Sequence, residues 1–437
     1  MGKHIPEGKI ARTGVAGIAA AKVGLGELHH KMKRPFLSNS MVKKEKEVLD
    51  DKNAKILFNA LSQLRGTALK VAQMLGMEQG LLPDSYRKEL SKSFHQVPPL
   101  NRVLVRKVML AELKQTPENL YKKFENNAFA AASLGQVHRA QTDDGTDVAV
   151  KVQYPGINVS IESDLTLIRG IAHGMSNTKI ILQSLDEIEE RLKEEIDYQI
   201  EAKNTQWFQQ NIELEGISIP RVFEALSTNR VLTTEFIQGM HLEQWLETNP
   251  SQESRNTAAQ LLYDFFLYSS EELQCLHADP NPGNYLFQQD GTITIIDFGC
   301  VRHLSDQFNS EFSQLMKAYV DDDPESLFSA YEELGMKHSN PNDDFYKNVL
   351  RPFGQWVSEP FKSESFDFAK HHDYTYRGKE SIKILHDMMN VDRIAEEFIF
   401  HNRTLYGLYQ IFERMGATVK MRHHLMGVEV SQDRGCS

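Results

Sequence analysis

Cysteine is scarce in this chain: three in 437 residues, Cys275, Cys300 and Cys436, with no Cys-x-x-Cys and no Cys/His finger spacing. That excludes a disulfide framework and a structural zinc finger, and points to a reducing compartment. Long apolar runs are missing as well. The longest near the N-terminus, residues 14–26, covers 13 positions with Lys22 inside it, short of the ~20 needed to span a bilayer. The basic stretch His29-His30-Lys31 follows it instead of a small-residue cleavage site. A cytoplasmic protein without a transmembrane helix is the expectation. No internal repeat, low-complexity tract or stripe of basic and aromatic residues is present, which sets aside solenoids, disordered chains and nucleic-acid binders. What remains is 41% hydrophobic, 25% charged and 9% aromatic, a soluble globular composition long enough for roughly two to three domains.

Charge is unevenly spread. Residues 1–44 hold nine Lys/Arg against Glu7 and Glu27, a balance of +7 that leaves −18 for the remainder of a chain whose net charge is −11. A basic segment at 1–45 therefore precedes an acidic body, and it suits either an anionic membrane surface or a solvated tail. From 55 to 75 the residues Leu57, Leu61, Leu64, Ala68, Val71 and Leu75 step by three or four along one helical face, with Lys70 and Gln73 opposite. Prolines close this unit, a second helical run covers 101–113, and β-rich texture begins after Lys123. Asp143-Asp144-Gly145 marks a turn before a strand at 147–152. A helical pattern runs over 186–204, a strand over 230–234, and helix dominates beyond Met240, including the apolar run 261–267. The expected fold is α+β. Its parts are a basic arm (1–45), a helical extension (46–120), a small β-rich lobe (121–237), a larger α-rich lobe (238–425) and a tail (426–437).

The most specific chemistry lies in His277-Ala278-Asp279-Pro280-Asn281-Pro282-Gly283-Asn284, followed by a hairpin and Asp297-Phe298-Gly299. An Asp with an Asn five residues on, then a hairpin, then Asp-Phe-Gly, is the layout of a kinase-type site. Asp279 can orient a nucleophile, while Asn284 and Asp297 can hold Mg2+. Upstream, the alternating strand Val148-Ala149-Val150-Lys151-Val152 carries one lysine able to reach the α/β-phosphates of ATP or ADP. Asp197 and Glu201, spaced i,i+4 on the helical pattern at 186–204, offer it a carboxylate; Glu195 falls on another face and would serve a different partner. Where a Gly-rich phosphate loop is usual, this chain has Ala130-Ala131-Ala132-Ser133, so positive-φ freedom is lost and a more restricted cradle is expected. The nucleotide-binding set is completed by Ala149 and by Glu235 after the 230–234 strand. Ala278 stands where such sites carry Arg, and no Ala-Pro-Glu follows. Activation by loop phosphorylation is therefore not expected. The paired histidines 29–30, 371–372 and 423–424 have no carboxylate at metal spacing and read as solvated.

Taken together, LKVAQ at 69–73, FAAASLGQVHRA at 129–140, VAVKVQYPG at 148–156, EIDYQIEA at 195–202, HADPNPGN at 277–284 and IDFG at 296–299 closely resemble the UbiB-type (aarF-domain, ADCK-like) atypical kinase family. The resemblance covers residues 5–420, as far as Asn402-Arg403-Thr404 and Gly407-Leu408-Tyr409. It implies a protein-kinase-like bilobal fold with an N-terminal helical extension whose Lys-x-Gly-Gln motif gates the nucleotide. Lys70-Val71-Ala72-Gln73 corresponds to that motif here, with Ala72 in place of the family's Gly. By the same analogy Glu195 of Glu195-Ile196-Asp197 meets Lys70, while Glu201 holds Lys151. The resemblance further implies an Mg-dependent ATP-binding kinase or ATPase, peripheral at the inner membrane, in isoprenoid-quinone (ubiquinone) biosynthesis or lipid homeostasis, with proteins of those pathways as partners. A small-molecule phosphotransferase and a nucleotide-gated scaffold of a biosynthetic complex share the same residues and stay open as alternatives.

Overall fold

The computed structural model describes residues 9–36, 38–64, 68, 71, 102–132, 134–172, 178–333, 344, 346–378, 381 and 396–421. The chain divides into two compact units, Met1–Ala202 with Val222–Phe236, and Lys203–Arg221 with Ile237–Ser437. Residues 203–221, which fall in the range 121–237 read above as the small lobe, thus cluster with the second unit.

The first unit contains α1 (Lys9–Lys33), α2 (Asn39–Leu64), α3 (Arg102–Leu113), β1 (Lys123–Phe124), β2 (Ala130–Ala132), β3 (Gly135–Gln141), β4 (Asp147–Gln153), α4 (Ile157–Ala172), α5 (Thr178–Glu195), the start of α6 (Tyr198–Asn211) and β5 (Val231–Glu235). Its sheet is antiparallel in the order β1-β3-β4-β5, with β2 also paired to β3. Gly145, at φ +92°, makes the turn between β3 and β4, where an L side chain would be strained. Alternation along β4 buries Val148, Val150 and Val152 against Val105, Val108 and Met109 of α3, and leaves Ala149 and Lys151 on the other face.

A second core in this unit joins α1, α2, α4 and α5 through Ala19, Val23, Leu57, Leu61, Leu165 and Leu192. Ala68 and Val71, on the helical face read from the sequence, are buried in the same core; Leu75 lies outside the described residues. The basic segment is therefore not a solvated tail over its described part. From Lys9 it is helix, with one face packed. Buried Glu27 of α1 accepts from Lys46 (2.8 Å) and Asn53 (3.1 Å) of α2, fixing the register of the two helices.

The second unit is mainly helical around one large core. Helix α7 (Gln252–Leu267) starts at Ser251, whose hydroxyl accepts from Ser254 N–H, and buries Leu262, Phe265 and Phe266. After it come β6 (Cys275–His277), β7 (Tyr285–Phe287), β8 (Ile293–Ile295), β9 (Val301–His303), α8 (Asp306–Asp321), α9 (Pro324–Glu333), α10 (Arg351–Ser358), β10 (Ser365–Asp367), α11 (Glu396–Met415) and β11 (Thr418–Lys420). The pairs β6/β9 and β7/β8 are antiparallel, and Gly291 at φ +90° turns the second of them. These two ribbons frame the segment 278–284 and Asp297.

Candidate active site

Lys151 is fixed within the first unit. Its Nζ donates to both carboxylate oxygens of Glu201, at 2.9 and 2.7 Å, and lies 4.9 Å from the centre of the Tyr198 ring. The lysine and glutamate side chains are 15% and 7% exposed. The pair is thus largely desolvated and depends on this two-point geometry. Cross-strand neighbours on the same face are Val137 and Leu232; Ala149 is flanked by Arg139 and Thr234, and Glu235 lies opposite Val148.

The helix expected over 186–204 is broken, and this changes the assignment of its acids. Helix α5 ends at Glu195 and α6 starts at Tyr198. The break is built from local hydrogen bonds: Asp197 Oδ1 accepts from Gln199 N–H (3.0 Å) and Asn229 Nδ2 (3.1 Å), and Gln153 Nε2 donates to the Ile196 carbonyl (2.7 Å). Asp197 is therefore the cap of α6 and not a partner of Lys151. The angular argument separating Glu195 from Glu201 on one helix does not hold either, because they sit on different helices. Lys70, Ala72 and Gln73 lie outside the described residues.

The alanine segment forms a hairpin. Ala130, Ala131 and Ala132 of β2 pair with Val137, Gln136 and Gly135 of β3, while Ser133 lies outside the described residues. Its tip is pinned: Leu134 is buried in the helical core and its carbonyl accepts from Tyr154 N–H at 3.0 Å. Gly135 lies so close to β4 that a Cβ would overlap the Val152 carbonyl oxygen and reach the Tyr198 hydroxyl at 2.8 Å. Behind the hairpin, buried His138 joins Gln136 (2.7 Å) and the Glu125 carbonyl (2.8 Å), and desolvation holds its pKa below the ordinary histidine value. Sequence reading missed Leu134, Gly135 and His138 as supports. The signal available was a leucine followed at once by glycine, directly after the Ala-Ala-Ala-Ser run.

In the second unit Asn284 Nδ2 donates to Asp279 Oδ2 (2.9 Å) and to the Asp279 carbonyl (3.2 Å). With its amide nitrogen committed to Asp279, Asn284 keeps Oδ1 as the atom for a cation. A turn of 3-10 helix, Pro282–Asn284, brings the asparagine back; Asn281 Oδ1 accepts from Gly283 N–H (2.9 Å) to form it. Asp297 Oδ1 accepts from Gly299 N–H (3.0 Å), and His277 Nε2 donates to the Asp297 carbonyl (2.7 Å). Phe298 is fully buried against Phe208 and His277, and its carbonyl accepts from Asn204 Nδ2 (3.0 Å). The residues expected to act on metal and nucleophile are thus tied to one another through the short segment around Asp279. An amide oxygen and a carboxylate are hard donors suited to Mg2+, which takes one or two protein ligands and completes its shell with phosphate and water. Among the described residues no group of three or more His, Cys, Asp or Glu is gathered around one point.

Comparison with known proteins places the chain in a family. Residues 92–331, more than half of the chain, match the ABC1 atypical kinase-like domain. The rat mitochondrial atypical kinase COQ8B is 31% identical across 84% of this chain and 70% of its own. A probable serine/threonine-protein kinase, abkA of Dictyostelium discoideum, is 28% identical across 96% and 78%. Among solved structures, Rv3197 of Mycobacterium tuberculosis in complex with erythromycin superposes with a TM-score of 0.63, covering 90% of this chain and 99% of that one at 24% identity, a likeness of fold. The fold is accordingly α+β and kinase-like, with N-terminal helices preceding the matched domain, and the chain belongs to the ABC1 (UbiB-type) atypical kinase-like family.

Proposed function

We propose that this protein binds ATP or ADP with Mg2+ and works as a kinase-like ATPase at a membrane surface, in isoprenoid-quinone or lipid metabolism. Lys151 addresses the α/β-phosphates, with Ala130 to Ser133, Ala149 and Glu235 as further nucleotide contacts. Asn284 and Asp297 take the metal, and Asp279 orients water or an acceptor hydroxyl. Lys70 and Gln73 gate the site, with Glu195 as the counter-charge. The observation that carries this reading is the two-point ion pair of Lys151 with Glu201, the arrangement a phosphate-binding lysine takes in active kinases.

The membrane part rests on α1. Ile18, Leu25, Leu28 and Met32 recur at helical spacing and are each more than half exposed, with Lys22, Lys31, Lys33 and Arg34 close by in sequence. A helix with one packed face, a second apolar face and flanking cations suits an anionic lipid interface. No described helix is long and apolar enough to cross a membrane. The link to quinone or lipid metabolism rests on the family resemblance.

Steady-state phosphate release from Mg-ATP, with and without anionic liposomes and with Asp297→Asn as the blank, tests the proposal. Liposome-stimulated release above the blank is expected. Release equal to the blank in both conditions contradicts an ATPase and moves the reading to an acceptor-dependent phosphotransferase or a nucleotide-gated scaffold.

A further inference from the structure

The residue before Asp279 is Ala278, so the short segment carrying the candidate nucleophile-orienting group has no guanidinium of its own. The structure supplies one from elsewhere. Arg403, on α11 and 125 positions away in sequence, donates from Nη2 to the Ala278 carbonyl at 2.9 Å and lies 3.8 Å from Cys300 Sγ. It therefore bridges the residue before Asp279 and the residue after Asp297-Phe298-Gly299. These two strands of chain are already joined, because Ala278 N–H donates to the Cys300 carbonyl at 2.9 Å. The guanidinium is held in place by its own helix: it lies 4.8 Å from the centre of the buried Phe400 ring, and Arg302 of β9 lies 4.4 Å from the same ring.

One turn further along α11, Gly407 meets Pro280, and a Cβ there would overlap the proline ring. Arg403 and Gly407 thus grip the chain on either side of Asp279, the first by a charge-assisted hydrogen bond and the second by close packing. Ala278 is fully buried. Removing the guanidinium would leave a buried carbonyl without this donor.

We propose that Arg403 is the positioning residue of Asp279, with Gly407 as the second jaw of a permanent clamp, so that the Asp279 segment is set by the folded core of the second unit and needs no phosphorylation signal to order it. The inference rests on the nucleotide-hydrolysis reading for its kinetic consequence, while the clamp itself concerns only the second unit. Lysine is a poor substitute, since it keeps the charge and loses the planar fork and the ring contact.

The experiment uses the full chain as wild type, Arg403→Met, Arg403→Lys and Gly407→Ala. Three readouts are taken: kcat and KM for Mg-ATP phosphate release normalised to nucleotide-binding sites, far-UV circular dichroism, and hydrogen–deuterium exchange of peptides covering 275–284. Arg403→Met is expected to lower kcat at least about tenfold with little change in KM, and to speed exchange over 275–284 with an unchanged fold. Arg403→Lys should recover part of both effects. Wild-type kcat per binding site together with wild-type exchange in Arg403→Met overturns the proposal. If Arg403→Met does not fold, Gly407→Ala and Arg403→Lys decide: lowered kcat and faster exchange support the clamp, and wild-type values in both variants overturn it. Should the wild type itself show no release above the Asp297→Asn blank, the ATPase reading has failed. Exchange over 275–284 then still separates a clamp from an incidental contact.

Discussion

Lys151 is held in a desolvated ion pair with Glu201, 50 residues away in sequence, beside the Tyr198 ring. Asp279 is held differently: Asn284 donates to it, the neighbouring Ala278 is locked by Cys300 and Arg403, and Pro280 is wedged on Gly407. The first arrangement centres on a largely buried charge pair, whereas the second combines hydrogen bonds to backbone and carboxylate, one of them from a guanidinium, with close packing. Removing the Glu201 carboxylate should therefore cost more than removing any one contact around Asp279, since a buried ammonium that loses a counter-charge costs more than a carbonyl that loses a donor.

Glu201→Ala is the sharpest way to break that contrast. Leaving Lys151 partly buried without its carboxylate is expected to cost about 3–5 kcal/mol, read as a lower urea midpoint, and Glu201→Gln should recover part of it. Next, Leu134→Ala should cost about 2–5 kcal/mol by opening a cavity at the hairpin tip. Chemical denaturation measures this, and an unchanged midpoint would show that the hairpin is not pinned. In the second unit His401 is buried against Phe266, Phe308 and Phe312, and burial holds its pKa down at about 3. The unfolded chain then takes up a proton first, so stability is complete above the ordinary histidine value and is lost as pH falls towards 3. At pH 5 the loss attributable to this group is about 2 kcal/mol, and His401→Leu should flatten the fall between urea midpoints at pH 7 and pH 5. The smallest stability effect is Asn284→Ala, about 1 kcal/mol for one hydrogen-bonded side chain; its larger signature is a raised Mg2+ requirement in nucleotide titrations.

What the sequence made legible follows from residue type. The alternation of β4 placed Ala149 and Lys151 on one face, and the face through Leu57, Leu61, Ala68 and Val71 is the one that is buried. Glu201 was identified as a candidate partner, but Asp197 was offered beside it because periodicity alone runs through the break at Ile196. Helical spacing does not reveal that Asp197 and Asn229 form a competing set of local hydrogen bonds. Arg403 was visible only as part of a resembling segment. Its role depends on a contact spanning 125 positions, which no local pattern encodes. The basic segment 1–44 showed its charge but hid its packed face, because small residues such as Ala19 share that face with Val23 and a buried Glu27.

Metal-dependent nucleotide binding is read by isothermal titration of the full chain with ADP and ATP, with and without Mg2+, comparing wild type with Asp297→Asn. Mg2+ is expected to strengthen nucleotide binding in the wild type and to leave it unchanged in Asp297→Asn. Equal Mg2+ dependence in the two proteins, or no nucleotide binding by the wild type, would contradict that expectation.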